Sequence, residues 1–148
     1  MALKVGIVGM RGIGNTHAAA HTQDPLSELV AVCDVVKDRA EAGASKYGVP
    51  CYSKLSEMLA AHPDLDIVDV CTGGFENGSW HFEPAMEAIA AKKHVLVEKP
   101  ISNRIEEARQ MVAAADAAGV YLGCNLNHYF TEPAAKAREY MDEGRVGE

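Results

Sequence analysis

Five short, near-continuous apolar runs set the first limit on what this chain can fold into: Lys4–Val8, Glu28–Cys33, Ile67–Cys71, His94–Val97 and Tyr121–Cys124. They do not alternate apolar with polar residues, as the strands of a half-exposed antiparallel sheet would. Strands of this kind are buried on both faces, which calls for helices above and below a parallel sheet. Helical patterns separate the runs: Gly14–Gln23, Lys37–Tyr47 closing at Gly48, a short one over Ser53–His62 ahead of Pro63, and His81–Lys92. A long Ala-rich helix follows Ser102 and closes at Gly119, and a last one starts near Pro133 and runs to Glu143. Ser53 and Ser102 are the expected N-caps. Strand–helix alternation with right-handed crossovers gives an α/β fold: a doubly wound, mostly parallel sheet with helices on both faces.

Composition narrows the function classes. A chain of 148 residues suits a single domain with its own core. The net charge of −7 argues against a nucleic-acid or anionic-membrane surface, where basic stripes supply the affinity. No apolar run approaches the ~20 residues of a membrane span, and the N-terminus enters a strand at once, so a cytoplasmic location is expected. Cys33, Cys51, Cys71 and Cys124 are scattered without a Cys-x-x-Cys pair and read as small buried thiols. His17 and His21 share a helix face but bring no further ligand set with them, so they read as surface or interface histidines and no metal site is expected.

The turn after the first strand carries the chemistry. Val8-Gly9-Met10-Arg11-Gly12-Ile13-Gly14 approximates G-x-G-x-x-G, in which the first glycine makes the tight turn and the third lets helix and strand pack closely. Gly9 and Gly14 take those two positions. Arg11 stands at the second, where it either crowds a phosphate or pairs with one of its oxygens, and Gly12 follows it. The helix N-terminus then faces the phosphate charge. Asp34 ends the second strand, twenty residues past Gly14, where a carboxylate accepts from ribose hydroxyls and repels a 2′-phosphate. The pattern points to NAD, with Lys37 and Arg39 close enough to keep NADP open.

Two later segments are more specific: His94-Val95-Leu96-Val97-Glu98-Lys99-Pro100-Ile101-Ser102, and Asn125-Leu126-Asn127-His128-Tyr129-Phe130 leading to Asp142-Glu143-Gly144-Arg145-Val146-Gly147-Glu148. With the glycine turn and Thr72…His81-Phe82-Glu83-Pro84-Ala85, they resemble the glucose–fructose oxidoreductase/inositol dehydrogenase (Gfo/Idh/MocA) family over essentially the whole chain. That resemblance implies a Rossmann domain and hydride transfer between a nicotinamide and a small sugar-like or polyol substrate. It implies a catalytic Lys99, which orients the alcohol and stabilises developing alkoxide charge, and places Glu98 beside the nicotinamide ribose. Asn127 falls near the carboxamide, and Thr72 and Gly73 supply hydroxyl and backbone contacts to the cofactor. His81 matches the family histidine or, alternatively, packs locally in the first turn of its helix. Trp80 either sits over the nicotinamide pocket or fills space. The loop from Thr72 to Trp80 is longer than the family's and lacks its Pro and Asn, and Tyr129 stands where an arginine is usual.

The resemblance also divides the chain. Residues 1–125 are expected to form the dinucleotide-binding domain, and 126–148 a connecting segment and helix leading to a C-terminal domain absent from this chain. Without that domain the chain is expected to be inactive alone, and to self-associate through apolar surface around Leu126, Tyr129 and Phe130. Two other functions share parts of the pattern. An S-adenosylmethionine-dependent methyltransferase uses a glycine turn and an acid after strand two, but has no use for Glu98-Lys99-Pro100. A lone Rossmann domain also serves as a non-catalytic nucleotide sensor. Short-chain dehydrogenases are disfavoured, since the sequence holds no Tyr-x-x-x-Lys.

Overall fold

The apolar runs become parallel strands because each buries both faces. The structure, a computed structural model, describes residues 1–76 and 78–147; Asn77 and Glu148 lie outside it. Strand β1 (Leu3–Val8) is followed by α1 (Gly12–Gln23), β2 (Ser27–Cys33), α2 (Lys37–Tyr47), β3 (Cys51–Tyr52) and α3 (Leu55–Ala61). Then come β4 (Ile67–Val70), α4 (Phe82–Ala90), β5 (His94–Glu98), α5 (Ile105–Ala118) and β6 (Leu122–Asn125). A 3-10 turn over Asn127–Phe130 and α6 (Glu132–Asp142) complete the order. All six strands pair in parallel, in the order β3-β2-β1-β4-β5-β6. The expected doubly wound α/β sheet is what forms.

Side-chain alternation sorts the core into two layers. Val68 and Val70 of β4 and Val95 and Val97 of β5 turn to one face and pack with Met58, Ala88, Ile89, Met111 and Ala115 from α3, α4 and α5. Val5, Ile7, Leu29 and Val32 turn to the other, against Met10 and Ala18. Because β1 and β4 sit side by side while their crossover helices lie on opposite faces, a crevice opens at their carboxyl ends.

Several local expectations need correction. The two-residue β3, which pairs with Val32 and Cys33, had no sequence signal, being too short for periodicity. Ser53 does not cap α3: Lys54 is the N-cap, and the Ser53 hydroxyl reaches Glu57 at 3.4 Å. Ser102 lies ahead of the Arg104 N-cap, where its Oγ accepts the Arg104 N–H at 3.0 Å and donates to Glu107 at 2.7 Å. Cys33 and Cys71 are buried as expected, but Cys51 and Cys124 only partly. Leu126, Tyr129 and Phe130 are exposed as expected, and α6 buries none of its residues.

Two glycines of the turn are sterically obligatory. Gly9 has φ +96°, and a Cβ there would lie 2.8 Å from the backbone of Cys71 and Thr72. At Gly14 it would overlap the carbonyl oxygen of Gly9. Gly12 meets open space. Gly14→Ala should cost about 1–3 kcal/mol in urea unfolding, since backbone must move to admit the methyl, whereas Gly12→Ala should unfold within ~0.5 kcal/mol of the parent.

Candidate functional site

The glycine turn is tied down on both sides. Gly9 N–H donates to the Cys33 carbonyl at 2.8 Å and Cys71 N–H to that of Val8 at 2.7 Å, joining the ends of β2, β1 and β4. The Asn15 amide donates to the carbonyls of Met10 at 2.9 Å and Arg11 at 3.2 Å. The first helical bond runs from Asn15 N–H to Arg11, which leaves the amides of Gly12, Ile13 and Gly14 as the free donors of the helix end. That cradle fits a pyrophosphate. Arg11, the exposed N-cap residue, lines the clefts on both sides of it. Met10 serves the turn itself: its side chain is in the core and its N–H donates to Asp34.

Asp34 ends β2 as expected, but it is only 4% exposed. Its Oδ2 accepts from Met10 N–H and its Oδ1 from Val36 N–H, each at 2.8 Å, with an Arg39 guanidinium nitrogen 4.0 Å away. The carboxylate thus holds the glycine turn in place while lining a cleft of about 580 Å³ that also takes in Gly9, Thr72, Gly73 and Trp80. Trp80 stacks edge-on against Phe75, ring centroids 5.2 Å apart.

A second cleft, of about 300 Å³, lies beyond the helix end and gathers Ile13, Thr72, Gly73, Glu98, Lys99 and Asn127. The Thr72 hydroxyl donates to the Trp80 carbonyl at 2.7 Å. His81 also borders this cleft, but both of its ring nitrogens face carbonyl acceptors, Pro100 at 2.7 Å and Thr72 at 2.6 Å. It staples the loop after β4 to the loop after β5, consistent with its alternative reading as a packing residue.

The floor of the second cleft was missed in the sequence. His17 and His21 are not surface residues: His17 is 9% exposed and lies between two carboxylates. Its Nδ1 meets Asp69 Oδ2 at 2.8 Å and its Nε2 meets Glu98 Oε1 at 3.1 Å. His21 Nε2 backs the same Asp69 oxygen at 3.1 Å, and the Asn125 amide donates to Glu98 Oε1 at 2.6 Å. The other Glu98 oxygen accepts the Lys99 N–H at 3.1 Å. Cys71 Sγ completes the cluster, 3.4 Å from Asp69 Oδ1 and 3.3 Å from His17 Nδ1. His17, Asp69 and Cys71 each offer a ligand atom within 4.8 Å of the others, a grouping that could also hold a metal ion and that the sequence reading did not expect. Burial drives the Cys71 thiol well up, and holds the Cys33 thiol at about 12. The signal for the cluster was present: an Asp inside the apolar run Ile67-Val68-Asp69-Val70 needs a buried partner, and the histidine pair supplies it.

Residues 3–126 match the family described as the Gfo/Idh/MocA oxidoreductase family, NAD-binding Rossmann fold. The chain belongs to that family. It is 35% identical over 144 residues to 1,5-anhydro-D-fructose reductase of Ensifer adhaerens, covering 96% of this chain and 41% of that protein. Myo-inositol 2-dehydrogenase of Thermotoga maritima is 30% identical over 98% of this chain and 42% of its own length. The WlbA dehydrogenase of Bordetella pertussis, solved with NADH and UDP-GlcNAcA, superposes with a TM-score of 0.90 at 30% identity, covering 99% of this chain and 44% of that one. The Gfo/Idh/MocA chain described here thus spans about two fifths of the curated relatives it matches. It is an NAD-binding Rossmann domain of an oxidoreductase family. No helix among the described residues is long and apolar enough to cross a membrane.

The cluster makes stability depend on pH. The hydrogen bond to Asp69, working against desolvation and aided by the charges of Asp69 and Glu98, raises the His17 imidazolium above its ordinary 6.5. Burial opposes ionisation of Asp69, but the hydrogen bonds from His17 and His21 outweigh it and hold its carboxyl below 3.8. The raised group stabilises fully below pH 6.5 and loses its contribution as pH rises through its folded value; the lowered one acts above pH 3.8 and fails in acid. His17→Gln should therefore cost most at pH 6, about 3–5 kcal/mol as for a broken buried pair. Its deficit in thermal unfolding should shrink steadily toward pH 9.

Proposed function

We propose that this chain is the cofactor-binding part of an oxidoreductase that moves hydride between NAD and a sugar-like or polyol substrate. The observation that carries the reading is the arrangement of two clefts on either side of one helix N-terminus, with Asp34 in one and Glu98 and Lys99 in the other. A dinucleotide fits such a crevice at the switch point between β1 and β4, with adenosine toward β2 and nicotinamide toward β5. Gly9 and Gly14 let the backbone come close, and Gly12 and Gly73 present faces with nothing within 4 Å of an added Cβ. The amides of Gly12 to Gly14 and the Arg11 guanidinium face the pyrophosphate. Bound NAD supplies the hydride acceptor.

Lys99, at the carboxyl end of β5, orients the substrate hydroxyl and stabilises charge on its oxygen as the proton leaves. Glu98 holds the ribose side of the site, and Asn127 and Thr72 border the same cleft. Relatives named for anhydrofructose and myo-inositol support that substrate class. Residues 1–125 form the dinucleotide domain, and 126–148 a segment that packs on protein outside it. Exposed Leu126, Tyr129 and Phe130 support that division.

Fluorescence titration tests the reading. NADH should bind more tightly than NADPH by about 5–150-fold, the equivalent of ~1–3 kcal/mol for a carboxylate facing a 2′-phosphate. Asp34→Ala should narrow that ratio and weaken both ligands, since the Met10 and Val36 amides lose their acceptor. Equal binding of NADH and NADPH by the parent chain would remove Asp34 from the ribose site. Arg11→Ala should weaken binding and flatten its salt dependence; an unchanged salt slope would put Arg11 outside the phosphate site.

A further inference from the structure

Under the smaller cleft a single imidazole stands between two carboxylates on neighbouring strands. His17 of α1 meets Asp69 of β4 at 2.8 Å and Glu98 of β5 at 3.1 Å. The other groups packed round the ring are Cys71 just after β4, Asn125 of β6, and His21 from its own helix, which shares the Asp69 oxygen. Glu98 faces both ways: it touches His17 below and lines the cleft above, beside Lys99. With His17 protonated, the two carboxylates share one countercharge. Without that proton, the floor gains a full negative charge.

The two forms of a nicotinamide differ in the property this floor senses. The oxidised ring is a cation and the reduced ring is neutral, while the pyrophosphate and adenosine are common to both. We propose that His17 sets the preference of this site between oxidised and reduced nicotinamide. The inference rests on the proposed seat of the dinucleotide, with its nicotinamide end over Glu98 and Lys99. Loss of the imidazolium proton favours the cationic ring and leaves the neutral one nearly indifferent. By linkage, the cationic ring loosens the proton on His17 and the neutral ring does not. The hydrogen bond to Asp69 keeps the imidazolium charged above 6.5, so the change in preference falls above that value. His17 touches neither ring nor substrate; it is a positioning and charge-setting residue.

The test is calorimetric titration of the chain with NAD+ and with NADH, separately, in steps from pH 6.5 to 9.5. The ratio Kd(NADH)/Kd(NAD+) should rise with pH, on the order of 5-fold across the range for one added charge in a partly screened site. A merely structural role would weaken both ligands and leave the ratio level. His17→Gln should make the ratio independent of pH, and His21→Gln should keep the rise. A second measurement needs no variant of His17: in carbon-edited NMR of the parent chain, the His17 ring should titrate at lower pH with NAD+ bound than with NADH bound. A level ratio, identical His17 titrations in the two complexes, or a rise that survives His17→Gln and vanishes in Lys99→Met would each overturn the proposal. Failure of both dinucleotides to bind would be a different result: it would remove the proposed seat and this inference with it.

Discussion

The close approach of α1 to the ends of β1 and β4 is the constraint on which the rest of the site depends. Gly14 lies against the Gly9 carbonyl, and Gly9 against the backbone of Cys71 and Thr72, with no room for a side chain at either position. That contact lowers the helix until its N–H donors open on the crevice. It also sets the depth at which His17, further along the same helix, can reach across to Asp69 and Glu98. Anion cradle and buried cluster are two consequences of one packing distance.

Electrostatics then divide the crevice. On the β2 side, Asp34 is consumed by two backbone amides, so its charge is held still and aimed by the turn it supports. On the β5 side, Glu98 and Asp69 are bridged from below by an imidazole, with Asn125 and the Lys99 amide satisfying the remaining Glu98 contacts. Buried carboxylates survive in this fold because each has its donors, and an unpaired one at such depth would carry several kcal/mol of desolvation.

The loop between β4 and α4 shows how an unusual segment is accommodated. His81, 1% exposed, bonds a carbonyl on each side and locks that loop to the segment after β5. Gly78 has φ +82°, and a Cβ there would lie 2.8 Å from Pro100, so the two loops touch backbone to ring. Phe75 and Trp80, paired with each other, remain exposed, and Trp80 borders the larger cleft. Phe75 and Trp80 thus project outward, while His81 at the segment's buried end stays fixed.

Much of this was legible in the sequence because it is local. Apolar runs of strand length, Gly48 and Gly119 at helix ends, and the spacing of Gly9, Gly14 and Asp34 follow from backbone geometry within a few residues or within one βαβ unit. Helix starts were misplaced at Ser53 and Ser102, because a serine near a helix has several nearby partners and local spacing does not rank them. His17 and His21 looked like surface residues for a deeper reason. Their carboxylate partners stand 48 to 81 residues away, on strands that become neighbours only when the sheet orders itself. By itself the sequence determined the five longer strands and the glycine turn, both carried by short-range sterics and spacing, and it pointed to the family through the motifs it shares with it. Only the tertiary structure decided which carboxylates flank His17, because strand order and helix depth, not chain proximity, bring those groups within hydrogen-bond reach.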